Sequence, residues 1–219
     1  MVTCAPERVA GALNSAIGIL GGTFDPVHHG HLRLALEVRE ALGLAEVRLI
    51  PTASSHLRAT AVARAEQRLA MLERAVVPGL VVDARELARG GCSYTIDTLI
   101  SLRQQFPTSP LCFILGADAW NALPLWHRWR ELLDYAHLVV ATRPGVSLGA
   151  IPELARAQTT DFGRLTTTPA GCVGWLSIPL LPISATDLRA RRRAGQCLDA
   201  LTPPAVVAFI TAQGLYLAP

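Results

Sequence analysis

The chain contains no lysine; all 20 of its basic residues are arginine. A lysine nucleophile and a lysine phosphate ligand are both excluded, so cationic contacts must come from guanidinium or imidazole groups. Compositional bias of the genome is the simplest source of this imbalance. C-x-x-C pairs are also missing: the five cysteines, Cys4, Cys92, Cys112, Cys172 and Cys197, are scattered. This argues against a zinc ribbon, and an odd number in a reducing compartment reads as free thiols. No apolar run is long enough to span a bilayer. Glu7 and Arg8 fall where a signal peptide needs its apolar stretch, so a cytoplasmic protein without a membrane partner is expected. The formal charge is only +3, which gives little support to a nucleic-acid partner. With 51% hydrophobic and 17% charged residues, the chain as a whole is not disordered.

Short β-type runs alternate with helical patterns. Strands are expected at 16–20, 46–51, 80–84, 111–116, 137–145 and 174–180. Helices are expected at 31–43, 64–76, 94–106, 186–195 and 203–214. Leu32, Ala35, Leu36 and Leu42 form the apolar side of the first helix, with Arg33 and Glu37 paired on its polar side. Leu69, Leu72 and Val76 are the expected core face of the second. Such alternation predicts an α/β fold, a doubly wound and mostly parallel sheet with flanking helices. One domain over 16–219 is expected, preceded by a short extension at 1–15. The irregular stretch 145–172, rich in Gly, Thr and Pro, reads as a surface excursion.

Between the first strand and the first helix lies GGTFDPVHHGHL, residues 21–32. In open parallel sheets ligands bind beyond the carboxyl ends of the strands. Gly21 and Gly22 let a ligand approach the backbone, and the following helix start offers free N–H groups to an anion. The stretch lacks the G-x-G-x-x-G of a dinucleotide loop and the Gly-Lys of a Walker A loop. His28, His29 and His31 do not have the four-residue spacing of helical zinc ligands, and no metal site is expected from them. The informative spacing is His28-x-Gly30-His31. Gly30 removes a side chain between two imidazoles, so both can face one phosphate and stabilise charge on a pentacoordinate phosphorus and a departing pyrophosphate. His29 is expected to point away.

The string GGTFDPVHHGHL resembles the signature of the H-x-G-H nucleotidyltransferases, which couple a nucleoside triphosphate to a phosphorylated acceptor. PISATDLR (182–189) resembles their second signature, I-S-[ST]-T-x-[IL]-R, with alanine departing from it at position 185. The resemblance implies a Rossmann-like nucleotidyltransferase fold. It implies catalytic roles for His28 and His31 and backbone contacts to ATP from Gly21, Gly22, Thr23 and Phe24. Ser184, Thr186 and Arg189 would hold the triphosphate, with Mg2+ carried on it mainly through phosphate oxygens and water.

Three further pieces resemble the bacterial nicotinate-nucleotide adenylyltransferases. CSYTIDTL (92–99) is similar to their S-Y-T-x-x-T-L element, which binds the pyridine carboxylate at a helix start; Tyr94 and Thr95 fall there. Ser93 and Thr95 are cap-type residues. FILGADAWNALPLWHRW (113–129) resembles the segment that supplies a ribose-side aspartate, here Asp118, and a ring-stacking tryptophan, here Trp126. Trp120 and Trp129 are expected in the core. AHLVVATRPG (136–145) resembles a run whose arginine, here Arg143, lies near the acceptor. The chain departs at PTASSHLRA (51–59), where the family's prolines are missing; His56 and Arg58 are the candidates there for the acceptor phosphate. The implied substrates are ATP and nicotinate mononucleotide. Association into a homo-oligomer is left open. The rivals are an enzyme using phosphopantetheine or the amidated nucleotide, a non-catalytic nucleotide sensor, and an arginine-rich RNA-binding module.

Overall fold

The computed structural model describes residues 15–54, 60–142, 148–179 and 181–217. His56, Arg58 and Arg143 lie outside the described residues. In chain order the elements are β1 (Ile17–Gly22), α1 (His29–Leu42), β2 (Glu46–Pro51), α2 (Ala65–Glu73), β3 (Leu80–Val82), α3 (Arg85–Arg89), α4 (Thr95–Gln105), β4 (Leu111–Gly116), α5 (Ala117–Asn121), α6 (Leu132–Tyr135), β5 (His137–Thr142), β6 (Gln158–Thr159), α7 (Gly163–Thr167), β7 (Val173–Ser177), α8 (Ala185–Arg193) and α9 (Pro204–Ala212). Short 3-10 turns cover Leu123–Leu125, Trp129–Glu131 and Pro152–Ala157.

The strands form one seven-stranded sheet in the order β3-β2-β1-β4-β5-β7-β6. Every pairing among them is parallel, where the sequence predicted a mostly parallel sheet. Parallel strands buried on both faces read as apolar runs, and LCFILG and HLVVAT are of that kind. Residues alternate between two cores. Ile17 and Ile19 of β1 join α4, α5 and α6 on one face through Ile96, Leu99, Leu102, Trp120 and Leu132. Leu20 joins α1, α2, α8 and α9 on the other through Leu32, Val38, Met71, Leu188, Val206 and Ile210. Trp120 and Trp129 are buried, as their sequence context predicts.

Several expected boundaries move. β1 runs through both glycines, with Gly21 opposite Ile50 and Gly22 opposite Pro51. α1 begins at His29, so Gly30 and His31 lie in its first turn and His28 is its N-cap. The buried face of α1 is Leu32, Ala35, Val38 and Leu42; Leu36 is only half-buried. In α2 the buried residues are Arg68, Met71 and Leu72, whereas Leu69 and Val76 are half-buried. A charged side chain thus occupies the face that periodicity assigned to Leu69 and Val76.

The surface reading of 145–172 is corrected. This stretch supplies the edge strand β6, paired with β7 through Gln158–Val173 and Thr159–Gly174. It also supplies α7, whose Leu165 is fully buried in the core beside α1. A two-residue strand and a single-turn helix leave too few residues for either periodicity to show.

Sheet order reverses between β1 and β4. From β1 the chain winds outward through β2 and β3, then returns to β4 and winds the other way. A crevice opens at such a switch point, beyond the carboxyl ends of the two strands. Gly22 ends β1 and Gly116 ends β4.

Candidate active site

The crevice begins with the loop 23–28. His28 is extended, with φ −149° and ψ 169°, and α1 starts directly after it. Its backbone N–H points at His31 Nδ1 at 3.3 Å. The two rings stack at 3.7 Å between centroids with 25° between planes. Gly30 makes this possible: a Cβ there would sit 3.0 Å from His28 Cε1 and Nδ1. The sequence expectation that Gly30 clears space between two imidazoles is met in that form.

The two histidines are not equivalent. His28 is buried and its Nδ1 has no hydrogen-bond partner among the described residues. His31 is half-buried and lies edge-on to Phe24 at 4.9 Å. Burial, with some help from the charge of His29, lowers the His28 pKa from 6.5 to about 4. At neutral pH His28 is therefore an uncharged imidazole, able to donate from one nitrogen only.

The loop before the histidines is held from four directions. Arg68, buried on α2, donates to the Thr23 carbonyl at 2.8 Å. Asp25 Oδ2 accepts from the Val62 N–H at 2.7 Å and Oδ1 from the Ala63 N–H at 3.1 Å. The Tyr216 hydroxyl donates to Asp25 Oδ1 at 2.6 Å. The Thr202 hydroxyl donates to the Val27 carbonyl at 2.7 Å, and the His29 N–H to the Leu201 carbonyl at 3.0 Å. Phe24 has a positive φ of 49° and is buried, its ring 3.0–3.2 Å from where a Gly22 Cβ would stand. A side chain at position 22 would press on the Phe24 ring. Gly21 is exposed, and a Cβ there would meet only Phe113 at 3.9 Å. The protein leaves the space over Gly21 open to a ligand.

The second signature packs beside this loop. Ser184 is the N-cap of α8 and its hydroxyl accepts from the Asp187 N–H at 3.1 Å. Arg189 donates to the Asp25 carbonyl at 2.7 Å and to the Thr186 hydroxyl at 3.2 Å. Thr186 is exposed and Arg189 is half-buried. The structure thus brings Ser184, Thr186 and Arg189 to the same loop as His28 and His31.

On the β4 side lies a cavity of about 450 Å³. Gly21, Gly22, Tyr94, Thr95, Asp118 and Trp126 line it, so the expected acceptor residues that the structure describes meet in one place. Trp126 is half-buried, with Phe113 edge-on at 6.1 Å. Tyr94 lies against His127 at 4.5 Å. Asp118 is exposed in the first turn of α5.

The expected capping of α4 by Ser93 or Thr95 is corrected. Tyr94 occupies the cap position, and no side chain caps the helix. Ser93 instead accepts from the Ala53 N–H at 3.0 Å, and its own N–H donates to the Ser54 carbonyl at 2.9 Å. The opening turn of α4 therefore borders the cavity with no side-chain cap among the described residues, a local setting that attracts an anion.

Sequence reasoning passed over Asp25, Arg68, Glu86, His127 and Tyr216. Glu86 is buried on α3 and lines the cavity. Burial raises its pKa above the ordinary carboxylate range; hydrogen bonds from Thr98 and Ser93 and the charge of Arg89 pull it back. Asp25 stood in view inside the loop motif. Arg68 and Tyr216 carry no local signal, because their partners lie 45 and 191 residues away. No group of three His, Cys, Asp or Glu residues able to hold a metal occurs among the described residues.

The family model described as cytidylyltransferase-like matches residues 19–191. A relative from Aeromonas hydrophila named "Probable nicotinate-nucleotide adenylyltransferase" is 52% identical, covering 93% of this chain and 98% of its own. One of the same name from Methylococcus capsulatus is 45% identical, covering 91% and 99%. The fold resembles that of Plasmodium falciparum nicotinic acid mononucleotide adenylyltransferase complexed with NaAD, with TM-score 0.69, 15% identity and coverage of 92% and 97%. The stacked histidines at the mouth of α1, the capped start of α8 and the aromatic-lined cavity all fall within this shared span, and the chain belongs to the nicotinate-nucleotide adenylyltransferase family.

Proposed function

We propose that the protein transfers AMP from ATP to nicotinate mononucleotide, giving nicotinate adenine dinucleotide and pyrophosphate, as a cytoplasmic enzyme of NAD biosynthesis. The catalytic unit is residues 16–219. The observation that carries this reading is the His28–His31 stack at the start of α1, directly after the glycine-ended strand that floors the Trp126 cavity. One site suits a triphosphate, the other a flat anionic ring, and Gly21 and Gly22 join them.

An oxygen of the acceptor's 5′-phosphate attacks the α-phosphorus of ATP. The bond from that phosphorus to the bridging oxygen breaks, and the electron pair leaves with pyrophosphate. No protein nucleophile takes part, so the protein contributes position and charge stabilisation. His31, the more exposed ring, contacts the α-phosphate. Neutral His28 backs it and donates to the same phosphate group. Backbone of Gly21, Gly22, Thr23 and Phe24 borders the nucleotide. Ser184 and Thr186 meet the triphosphate tail, and Arg189 turns its remaining N–H groups to it. Trp126 and Tyr94 flank the pyridine ring, Thr95 presents the helix start to its carboxylate, and Asp118 meets the ribose. His56 and Arg143 are assigned to the acceptor phosphate and its surroundings from the family pattern alone. Magnesium fits as an ion carried by the triphosphate and water, since the described residues offer no carboxylate cluster for a resident ion. It would supply charge neutralisation on the phosphates.

An acceptor panel tests this. With ATP and magnesium, pyrophosphate release should be fastest with nicotinate mononucleotide, slower with nicotinamide mononucleotide and absent with phosphopantetheine. Preference for either of the others sinks the reading.

A further inference from the structure

Among the described residues that line the cavity, the carboxyl side chains are Glu86 and Asp118, and no arginine joins them. Among these described residues an anionic ring meets no guanidinium. The feature among them that suits such a ring is the opening turn of α4, an 11-residue helix whose N-cap residue Tyr94 makes no side-chain cap bond. A turn that receives an anion has to be held in place by something other than the anion.

Glu86 is placed to do this. Its Oε1 accepts the Thr98 hydroxyl at 2.7 Å, one turn inside α4. The Thr98 oxygen in turn accepts from Arg89 at 3.3 Å. Ser93 lines the same cavity as Glu86 and Thr98. Ser93 is tied on both its N–H and Oγ to the strand that leaves β2, through Ser54 and Ala53. One buried carboxyl thus joins α3 to the first turn of α4.

For stability alone this arrangement is a poor choice. A carboxyl buried beside an anion site costs desolvation and adds like charge, and an apolar side chain of similar volume would pack at less cost. What a carboxyl supplies is a strong, directional acceptor for the buried Thr98 hydroxyl. We infer that Glu86 is a positioning residue for acceptor recognition: through Thr98 it fixes the first turn of α4 where that turn receives the ring carboxylate. This rests on the proposed acceptor. Glu86 touches no reacting atom, so its effect appears in binding and in the preference for acid over amide.

The test compares wild type, Glu86→Ala and Glu86→Gln with both pyridine mononucleotides. In Glu86→Ala, KM for nicotinate mononucleotide should rise about tenfold, the size expected when a buried donor loses its acceptor. KM for ATP and kcat should stay within about threefold, and KM for nicotinamide mononucleotide should change much less. Glu86→Gln keeps an acceptor for Thr98 and should recover most of the loss. Trp126 fluorescence titrated with each mononucleotide without ATP should show the same split. If Glu86→Ala does not fold, Thr98→Val removes the same hydrogen bond and should lower the acid-to-amide ratio likewise. An unchanged ratio in a folded variant overturns the role of Glu86 while leaving the enzyme's activity established. Absence of wild-type turnover with nicotinate mononucleotide overturns the functional reading, and this inference with it.

Discussion

The Tyr216 hydroxyl donates a 2.6 Å hydrogen bond to Asp25 Oδ1, joining the last described turn of the chain to the loop that follows β1. Both side chains are buried. Burial and the neighbouring Asp25 carboxyl push the Tyr216 phenol well above its ordinary pKa, so it remains a donor throughout the working range. Tyr216→Phe removes the donor and leaves Asp25 its contacts to Val62 and Ala63. We expect a loss of about 2 kcal/mol, as for a buried hydrogen bond to a charged group. The melting temperature should fall by roughly 4–8 °C in a chain of this size. A melt unchanged within a degree would show the contact to be idle.

His31→Ala should lower kcat by about 10²–10³, the range for removing one preorganised donor to a transition-state anion. The ring is half-buried, so circular dichroism and the melt should change little. Near-normal turnover in the folded variant would remove His31 from the mechanism.

Gly30→Ala sets two effects against each other. Alanine favours a helix over glycine by up to about 1 kcal/mol. Its Cβ, however, would stand 3.0 Å from two atoms of the His28 ring and 3.4 Å from the Ile183 carbonyl. The ring has to turn or shift, and a displaced group costs far more in rate than in folding. The expected outcome in steady-state kinetics and a melt is at least a roughly tenfold drop in kcat with little change in stability. Full activity would mean the stacked arrangement has no catalytic meaning.

Trp126→Ala should raise KM for nicotinate mononucleotide roughly tenfold or more, since aromatic stacking on a base is worth about 1–3 kcal/mol. KM for ATP should be unaffected. Equal effects on both substrates would place the ring elsewhere.

Acid should destabilise the protein through His28 and His137. His28 falls from 6.5 to about 4 on folding. His137 is also lowered, chiefly by burial, with Nε2 at 2.7 Å from the Thr168 carbonyl and Nδ1 accepting the Cys172 N–H at 3.1 Å. Below pH 6.5 the unfolded chain takes up protons that the folded one refuses. Their contribution is complete above about pH 6.5 and is lost as pH falls, for His28 until about pH 4. The His28 share is on the order of 3 kcal/mol. Urea titrations at pH 7, 6, 5 and 4.5 should show it, and His28→Asn should flatten the slope. An unchanged slope in that variant would mean His28 is solvated in the folded state.

Much of the fold was legible because its parallel strands are buried on both faces and its longer helices span several turns. LCFILG and HLVVAT announce themselves as core strands. β6, α7 and α3 did not, since two to five residues carry no measurable period. Arg68 was missed for a different reason. A guanidinium on a helix normally marks the wet face, and this one is buried because it hydrogen-bonds the Thr23 carbonyl.

The sequence by itself determined the chemistry available: two imidazoles separated by a glycine, a serine-capped arginine helix, an aromatic ring for stacking, and no lysine anywhere. Those follow from residue type and spacing over a few positions, which local backbone geometry converts directly into proximity. Only the tertiary structure decided which imidazole is neutral and buried and which stays partly exposed. It also decided that a buried carboxyl lines the Trp126 cavity and that Tyr216 holds the loop of Asp25. Burial and charge state are set by every segment that packs on a group, and here those segments are far apart in the chain.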